Sequence, residues 1–332
     1  MMLMEKREET MKIKCVMLAF VLASLVAPAM ADQVKPGWAG TTEELFQTYI
    51  VDEGLKQLGY EVAEPTQVQV QLAHTAVANG DLTFYPAHWV PLQDAFWKES
   101  GGDEKLMTVG TLIKNSLQGY LIDKKTADET GIKFIEDLKD PEKAKLFDID
   151  GNGKADLYGC EPGWGCERVI EHQLDAYGLR DTLEEKQGSY FAIIPDAIER
   201  IKAGKPTLYY TWTPLWVSAI LRPGKEVVWL NVKSTSLPDG GTGNTSVEGL
   251  GNLGFPVNDQ KIIVNTTWLK SNPKAKKFFE LVQIPIEDVN AENREIANGE
   301  KSNGQIMKHA TDWIAAHQAD WDKWIAEAKA AK

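Results

Sequence analysis

Histidine and cysteine are scarce in this chain, and the chemistry that depends on them is scarce with them. Five His and three Cys occur among 332 residues. His74, His88, His172, His309 and His317 show no metal-ligand spacing and read as scattered core or surface residues. No G-x-S-x-G elbow, H-E-x-x-H helix, P-loop or dinucleotide fingerprint is present, which excludes the enzymes built on those motifs. Basic charge is short as well. With 36 Lys and Arg against 48 Asp and Glu the net charge is −12, so no nucleic-acid partner is expected, because phosphate neutralisation needs a basic surface. Beyond residue 31 no stretch approaches the roughly 20 apolar residues of a spanning helix, so no direct membrane insertion is expected. Repeats and low-complexity tracts are missing too.

What is there begins with a leader. Lys12 and Lys14 precede an apolar run over 15–27, and Ala29-Met30-Ala31 supplies the small residues a signal peptidase reads before Asp32. Residues 1–31 therefore read as a signal peptide cleaved after Ala31, with Met11 as an alternative start. Cys15 leaves with the leader and lacks the context of a lipoprotein anchor. In an oxidising compartment the remaining Cys160 and Cys166 read as one disulfide, which pins the short segment 161–165.

The mature chain alternates short apolar strands with amphipathic helices, which predicts α/β layers with largely parallel sheets. Thr41 and Glu44 are spaced as a capping box ahead of Phe46, Ile50 and Leu58, with a stop at Gly59. A second helix is expected over 68–79, closed by Gly80, and a strand over 82–85 leading to His88 and Trp89. Ligands in open α/β sheets bind at such carboxyl edges. Further units fall at 119–122, 169–177, 192–201, 208–211, 227–230 and 261–264, with a Gly-rich loop over 238–254. Near the end, Trp313, Trp321 and Trp324 share a helical stripe with Ile306, Ala310, Ile314 and Ile325 and read as core.

One stretch imitates a calcium loop. Asp148, Asp150, Asn152 and Asp156 occupy positions one, three, five and nine, and Gly153 holds position six. Position twelve is Gly159 where a bidentate Glu belongs, so the readings are a weak structural calcium or a plain Asx-rich turn. No other cofactor is expected.

Of eleven Trp, three stand where strands give way to loops: Trp89, Trp164 and Trp212. Indole faces converging on a pocket hold a quaternary ammonium, which cannot donate hydrogen bonds and is drawn to the ring quadrupole. At about 2 kcal/mol per desolvated indole, three rings supply roughly 6 kcal/mol, whereas micromolar binding needs about 8 kcal/mol. A second anchor is required. A helix beginning at Gly165 and Cys166 leaves their backbone N–H groups free to hold a carboxylate, and Gly163 and Gly165 permit close approach. The ligand this favours is a small zwitterion carrying a permanent cation.

Four segments then carry a resemblance. Cys-x-Pro-Gly-Trp-Gly-Cys-Glu at 160–167, Tyr-Tyr-Thr-Trp-Thr-Pro-x-Trp-Val at 209–217, Trp-x-Pro-Leu at 89–92 and Gln-Gly-Tyr-Leu-Ile-Asp-Lys-Lys-Thr-Ala at 118–127 resemble the periplasmic glycine betaine/proline betaine-binding proteins of ABC importers, the ProX type. The resemblance implies a two-lobed α/β binding protein (type II-like), each lobe a mainly parallel sheet flanked by helices, joined by a hinge. Lobe one would comprise 32–118 and 237–332, lobe two 119–236. It also implies an aromatic box of Trp89, Trp164 and Trp212, a carboxylate held by the N–H groups of Gly165 and Cys166, a periplasmic monomer, and delivery of betaine to a membrane permease. No enzymatic activity is implied. Where the family places a carboxylate-binding histidine this chain has Gln93, which can donate one hydrogen bond but brings no charge. His88, next to Trp89 on an extended segment, should point to the opposite face. The alternatives are a binder of choline, carnitine, ectoine or a sulfonium osmolyte, and more remotely an exported hydrolase using carboxylates near Asp148.

Overall fold

The structure is a computed structural model that describes residues 33–241 and 243–332. The leader, its cleavage site, Cys15 and Met11 lie outside the described residues.

Its central feature is one long strand. Seven strands form the main sheet: β3 (Phe84–Val90), β4 (Leu106–Asp123), β5 (Ala155–Tyr158), β6 (Leu183–Lys186), β7 (Leu208–Thr213), β8 (Val227–Trp229) and β11 (Asn258–Asn265), in the order β3-β11-β4-β7-β5-β6 with β8 paired to β4. Two small sheets pair β1 (Gly37–Trp38) with β2 (Thr66–Gln67) and β9 (Ser246–Val247) with β10 (Gly251–Asn252). The 18 residues of β4 serve both halves of the molecule: Leu106 to Ser116 pair with β11, and Leu117 to Ile122 pair with β7. The exchange of partners thus falls between Ser116 and Leu117, next to Gln118.

Strand direction differs from the sequence expectation. Parallel pairing in the main sheet is confined to β5 with β6 and β7, while β11, β7 and β8 all run against β4, and β3 runs against β11. The sheet is mixed because its middle strand passes straight from one half to the other and each half returns along it. Alternating apolar runs do not report that path.

Two main cores lie on either side of the exchange. Around the first pack α1 (Thr42–Gln57), α10 (Thr266–Lys270), α11 (Pro273–Leu281), α12 (Ile286–Ala297), α13 (Asn303–Ala316) and α14 (Gln318–Ala330). Trp313 and Trp321 are buried there, Trp324 is half-buried, and Trp321 meets Phe278 edge-on at 5.7 Å. Around the second lie α5 (Lys124–Thr130), α6 (Pro141–Ala144), α7 (Gly165–Ala176), α8 (Tyr190–Lys202) and α9 (Val217–Ile220). A smaller cluster joins α2 (Val70–Asn79) to β3, with the short α3 (Asp94–Glu99) and α4 (Gly102–Lys105) beside it. Leu237 and Phe255, at the two ends of the Gly-rich segment, pack with the second core.

The start of α1 also departs from expectation. Thr41 is its N-cap residue, but the Thr41 side chain makes no cap bond, and Glu44 accepts from the Ala39 N–H at 2.7 Å instead of closing the box. Both Glu43 and Glu44 are buried. Helix α2 begins at Val70 and closes as expected on Gly80, whose φ of 83° suits glycine.

Candidate functional site

Trp89 stands near the end of β3, Trp164 is the N-cap of α7, and Trp212 lies in β7. These come from three separate parts of the chain, yet the three rings line one cavity together with Gln93, Gly165 and Cys166. The cavity encloses about 410 Å³ free of protein atoms, part of it continuous with solvent. All six candidate contact residues therefore meet. The indoles of Trp164 and Trp212 are perpendicular at 5.3 Å, and Tyr190 stacks obliquely on Trp212 at 4.7 Å. The Tyr190 hydroxyl donates to the Tyr210 carbonyl, which fixes that ring behind the wall. Trp89 packs with the second core although β3 pairs with β11 in the first half, so its ring faces across the molecule.

The α7 start is built for close approach. Gly165 and Cys166 are its first two residues, so their N–H groups have no acceptor within the helix. A Cβ at Gly165 would sit 2.8 Å from the Leu92 Cγ and 3.0 Å from the Leu92 carbonyl oxygen; only glycine lets these backbones come together. The Cys160–Cys166 disulfide is formed. Around it Glu167 accepts from the Gly163 N–H at 2.7 Å, Glu185 from the Cys160 N–H at 2.7 Å and Glu161 from the Tyr190 N–H at 3.0 Å, so the loop is tied on three sides.

Gln93 is buried and closes a ring with Trp89. Its Oε1 accepts from the Trp89 N–H at 3.1 Å, and its own N–H donates to the Trp89 carbonyl at 2.8 Å. The oxygen being occupied, Nε2 is the end left to a ligand. His88 is not on the cavity wall: its Nδ1 lies 3.0 Å from the His74 Nε2 and its Nε2 3.8 Å from the Asp94 carboxylate. Burial pushes His74 down to about 4 and His88 down to about 3, so both are neutral near pH 7.

Sequence reasoning missed part of the wall. Thr41, Glu44, Gln118 and Tyr210 also line it. Gln118 pairs with Trp212 across β4 and β7, and the Tyr210 hydroxyl donates to its Oε1 at 2.6 Å, leaving the buried Nε2 without a protein partner. The two-residue spacing of Tyr210 from Trp212 was a usable signal, since alternate strand residues share a face. Glu44 was hidden by its reading as a cap. Burial pushes Glu43 up to about 7, and burial with the nearby Glu43 charge pushes Glu44 up to about 8.

The calcium-like loop carries its own cation. Asp148 accepts from the N–H groups of Gly151, Asn152 and Gly153, and Asp156 from that of Ile149, as in an Asx-rich turn. The acids of Asp148, Asp150 and Asp156 lie close enough to share an ion. The Lys186 ammonium enters this group, 2.6 Å from Asp150 and 2.9 Å from Asp156, and also pairs with Glu184. One positive charge of the chain thus sits among these acids, none of it on Asp148, and the Asn152 side chain donates to Glu184 at 2.8 Å.

Comparison with known proteins shows the family to which the chain belongs. A family model described as the substrate binding domain of ABC-type glycine betaine transport system matches residues 32–316. The glycine betaine-binding periplasmic protein OusX of Dickeya dadantii (strain 3937) is 47% identical over 305 residues, 92% of each chain. The glycine betaine/proline betaine-binding periplasmic protein of Escherichia coli (strain K12) is likewise 47% identical over 305 residues, 92% of each chain. Among solved structures, an ABC-transporter choline-binding protein in complex with choline superposes with a TM-score of 0.70 at 20% identity, covering 89% of this chain and 92% of the other. Lactococcal OpuAC in its closed, glycine betaine-bound form gives 0.67 at 21% identity, covering 89% and 100%. At such identities the structures speak to fold alone, and the fold is the two-lobed one.

Proposed function

The chain belongs to the family of substrate-binding domains of ABC-type glycine betaine transport systems, and on that footing we propose that it binds glycine betaine and proline betaine in the periplasm and delivers them to the permease of an ABC importer. The methylated ammonium lies among Trp89, Trp164 and Trp212. The carboxylate lies at the α7 start, on the N–H groups of Gly165 and Cys166, with the Gln93 Nε2 as a third, uncharged donor. One observation carries this reading: six residues chosen for cation and carboxylate chemistry, and spread from position 89 to 212, line a single cavity.

The lobes meet at that cavity. We place the outward crossing at Ser116–Leu117, where β4 changes partners, and the return just after Phe255. Closure of the hinge then brings Trp89 and Gln93 against Trp164 and Trp212. The protein acts as a monomer released from its leader after Ala31; among the described residues no helix is long and apolar enough to cross a membrane.

The test is a titration of intrinsic fluorescence and a calorimetric titration with glycine betaine. A large spectral change is expected in the parent. Trp164→Ala should cost more than about 2 kcal/mol of binding, because a ring face and the packing of Trp212 go together. Saturable binding of unchanged strength in the variant would remove Trp164 from the site.

A further inference from the structure

One wall of the cavity is acidic, and nothing in the cation–π box accounts for it. Glu44 lines the cavity beside Thr41 and Ala39. Its Oε2 accepts from the Ala39 N–H at 2.7 Å and its Oε1 from the Tyr85 hydroxyl at 3.3 Å, so the carboxyl is held in place. Glu43, adjacent to it, is buried with its Oε2 unpartnered. Among the described residues no Lys or Arg is among the groups that act on either acid. A buried carboxylate without a positive partner is costly, and two neighbouring ones cost more, which pushes both acids up toward neutral pH.

A ligand with a permanent positive charge is the missing partner. Resting on the betaine reading of this cavity, we infer that Glu44 is a further ligand-selecting residue: its carboxylate supplies the counter-charge to the methylated ammonium, and the Glu43–Glu44 pair yields a proton to solvent as the ligand enters. The cation favours the ionised form, and the backbone N–H on Oε2 stabilises that form in advance. Cation–π attraction does not distinguish protonation states of the wall; a carboxylate facing the cation does.

Of the surrounding groups, Glu185 of β6 is also pushed up to about 7 by burial, but it holds the Cys160 N–H and is not on the cavity wall, so the comparison of parent with Glu44→Gln is what assigns the titration. From β3, Tyr85 faces Glu44, and from β7, Tyr210 lines the same cavity; burial pushes both hydroxyls up, so they keep their protons. From α8, Tyr190 feels the Glu43 charge and is likewise pushed up. His74 of α2 packs against Tyr85 and is neutral. On the helices behind α1 the ionisable groups pair with one another: His309 with Glu292 and Glu300, His317 with Asp288, Lys276 with Glu280, and Lys277 with Glu327. A carboxyl with a raised pKa is neutral below that value, so the anion the cation prefers appears as pH rises through about 7 to 8.

The experiment is calorimetry of the full mature chain with glycine betaine from about pH 6 to about pH 8.5, in paired buffers of different ionisation enthalpy. Parent affinity should rise with pH, by about tenfold for each unit by which the ligand lowers the pair's pKa, with net proton release near pH 7. Glu44→Gln keeps the shape, should match the parent near pH 6, fall about tenfold or more behind it near pH 8.5, and release fewer protons, Glu43 alone remaining to titrate. Glu43→Gln removes the like charge and should move the rise to lower pH. A parent that binds glycine betaine with flat affinity and no proton release overturns the inference and leaves the betaine reading intact; a parent that does not bind glycine betaine overturns both.

Discussion

Gln93 shows how much one side chain can settle and how little of it sequence reveals. Its amide is committed on one side to the Trp89 backbone, which leaves a neutral donor toward the cavity. Gln93→Leu should weaken glycine betaine binding by about 1–3 kcal/mol, since a ligand acceptor loses its donor and the buried Trp89 N–H loses its acceptor. A calorimetric Kd within about twofold of the parent would place the carboxylate elsewhere. The convergence of the indoles on one cavity was legible because Trp at strand ends is not explained by a helical core stripe. Glu44 was not, because a Glu three residues after a Thr at a helix start has a complete explanation as a capping box, and only the Ala39 N–H at 2.7 Å shows that its side chain goes elsewhere. Gln118 opens the segment 118–127, but its position opposite Trp212 is a matter of β4–β7 register, which no local pattern encodes.

At the scale of elements, the start of α7 concentrates the design. A helix end offers free donors, a disulfide and three carboxylate bonds hold the loop before it, and a residue without Cβ lets Leu92 reach it from across the cleft. On the proposed hinge closure, Gly165→Ala should weaken binding by about tenfold with little change in the melting temperature of the unliganded protein, because the added Cβ would meet the Leu92 Cγ at 2.8 Å and the Leu92 carbonyl oxygen at 3.0 Å when the halves are together. A fluorescence titration beside a thermal melt separates the two effects; unchanged affinity would mean that Leu92 and α7 do not meet in the liganded form. Helices and strands were largely readable from periodicity, as for α2 and its Gly80 stop. Strand direction was not, since pairing with β4 depends on contacts far apart along the chain.

For the whole molecule the relevant quantity is the balance between open and shut. Arg168 on α7 pairs with Glu99 on α3 at 3.1 Å and with Asp239 at 2.9 Å, so one guanidinium ties three separated segments beside the cleft. These side chains are exposed, and such pairs contribute about 0.2–1 kcal/mol each. Arg168→Ala should therefore raise the Kd by a few fold at low ionic strength, with the difference fading in about 0.5 M salt because screening removes it from the parent too. An effect that persists undiminished in salt would point to packing by the Arg168 stem instead. Two lobes were foreseeable from the resemblance, whereas the packing of the polar, Gly-rich loop on the second core shows only in the contacts of Leu237 and Phe255.

The strand Leu106–Asp123 belongs to both halves without a break. Neither half can lose its ladder without stripping partners from the backbone the other half needs, so melting should proceed as one all-or-none transition rather than lobe by lobe. If the halves hinge as proposed, the shared spine makes any partial unravelling expensive.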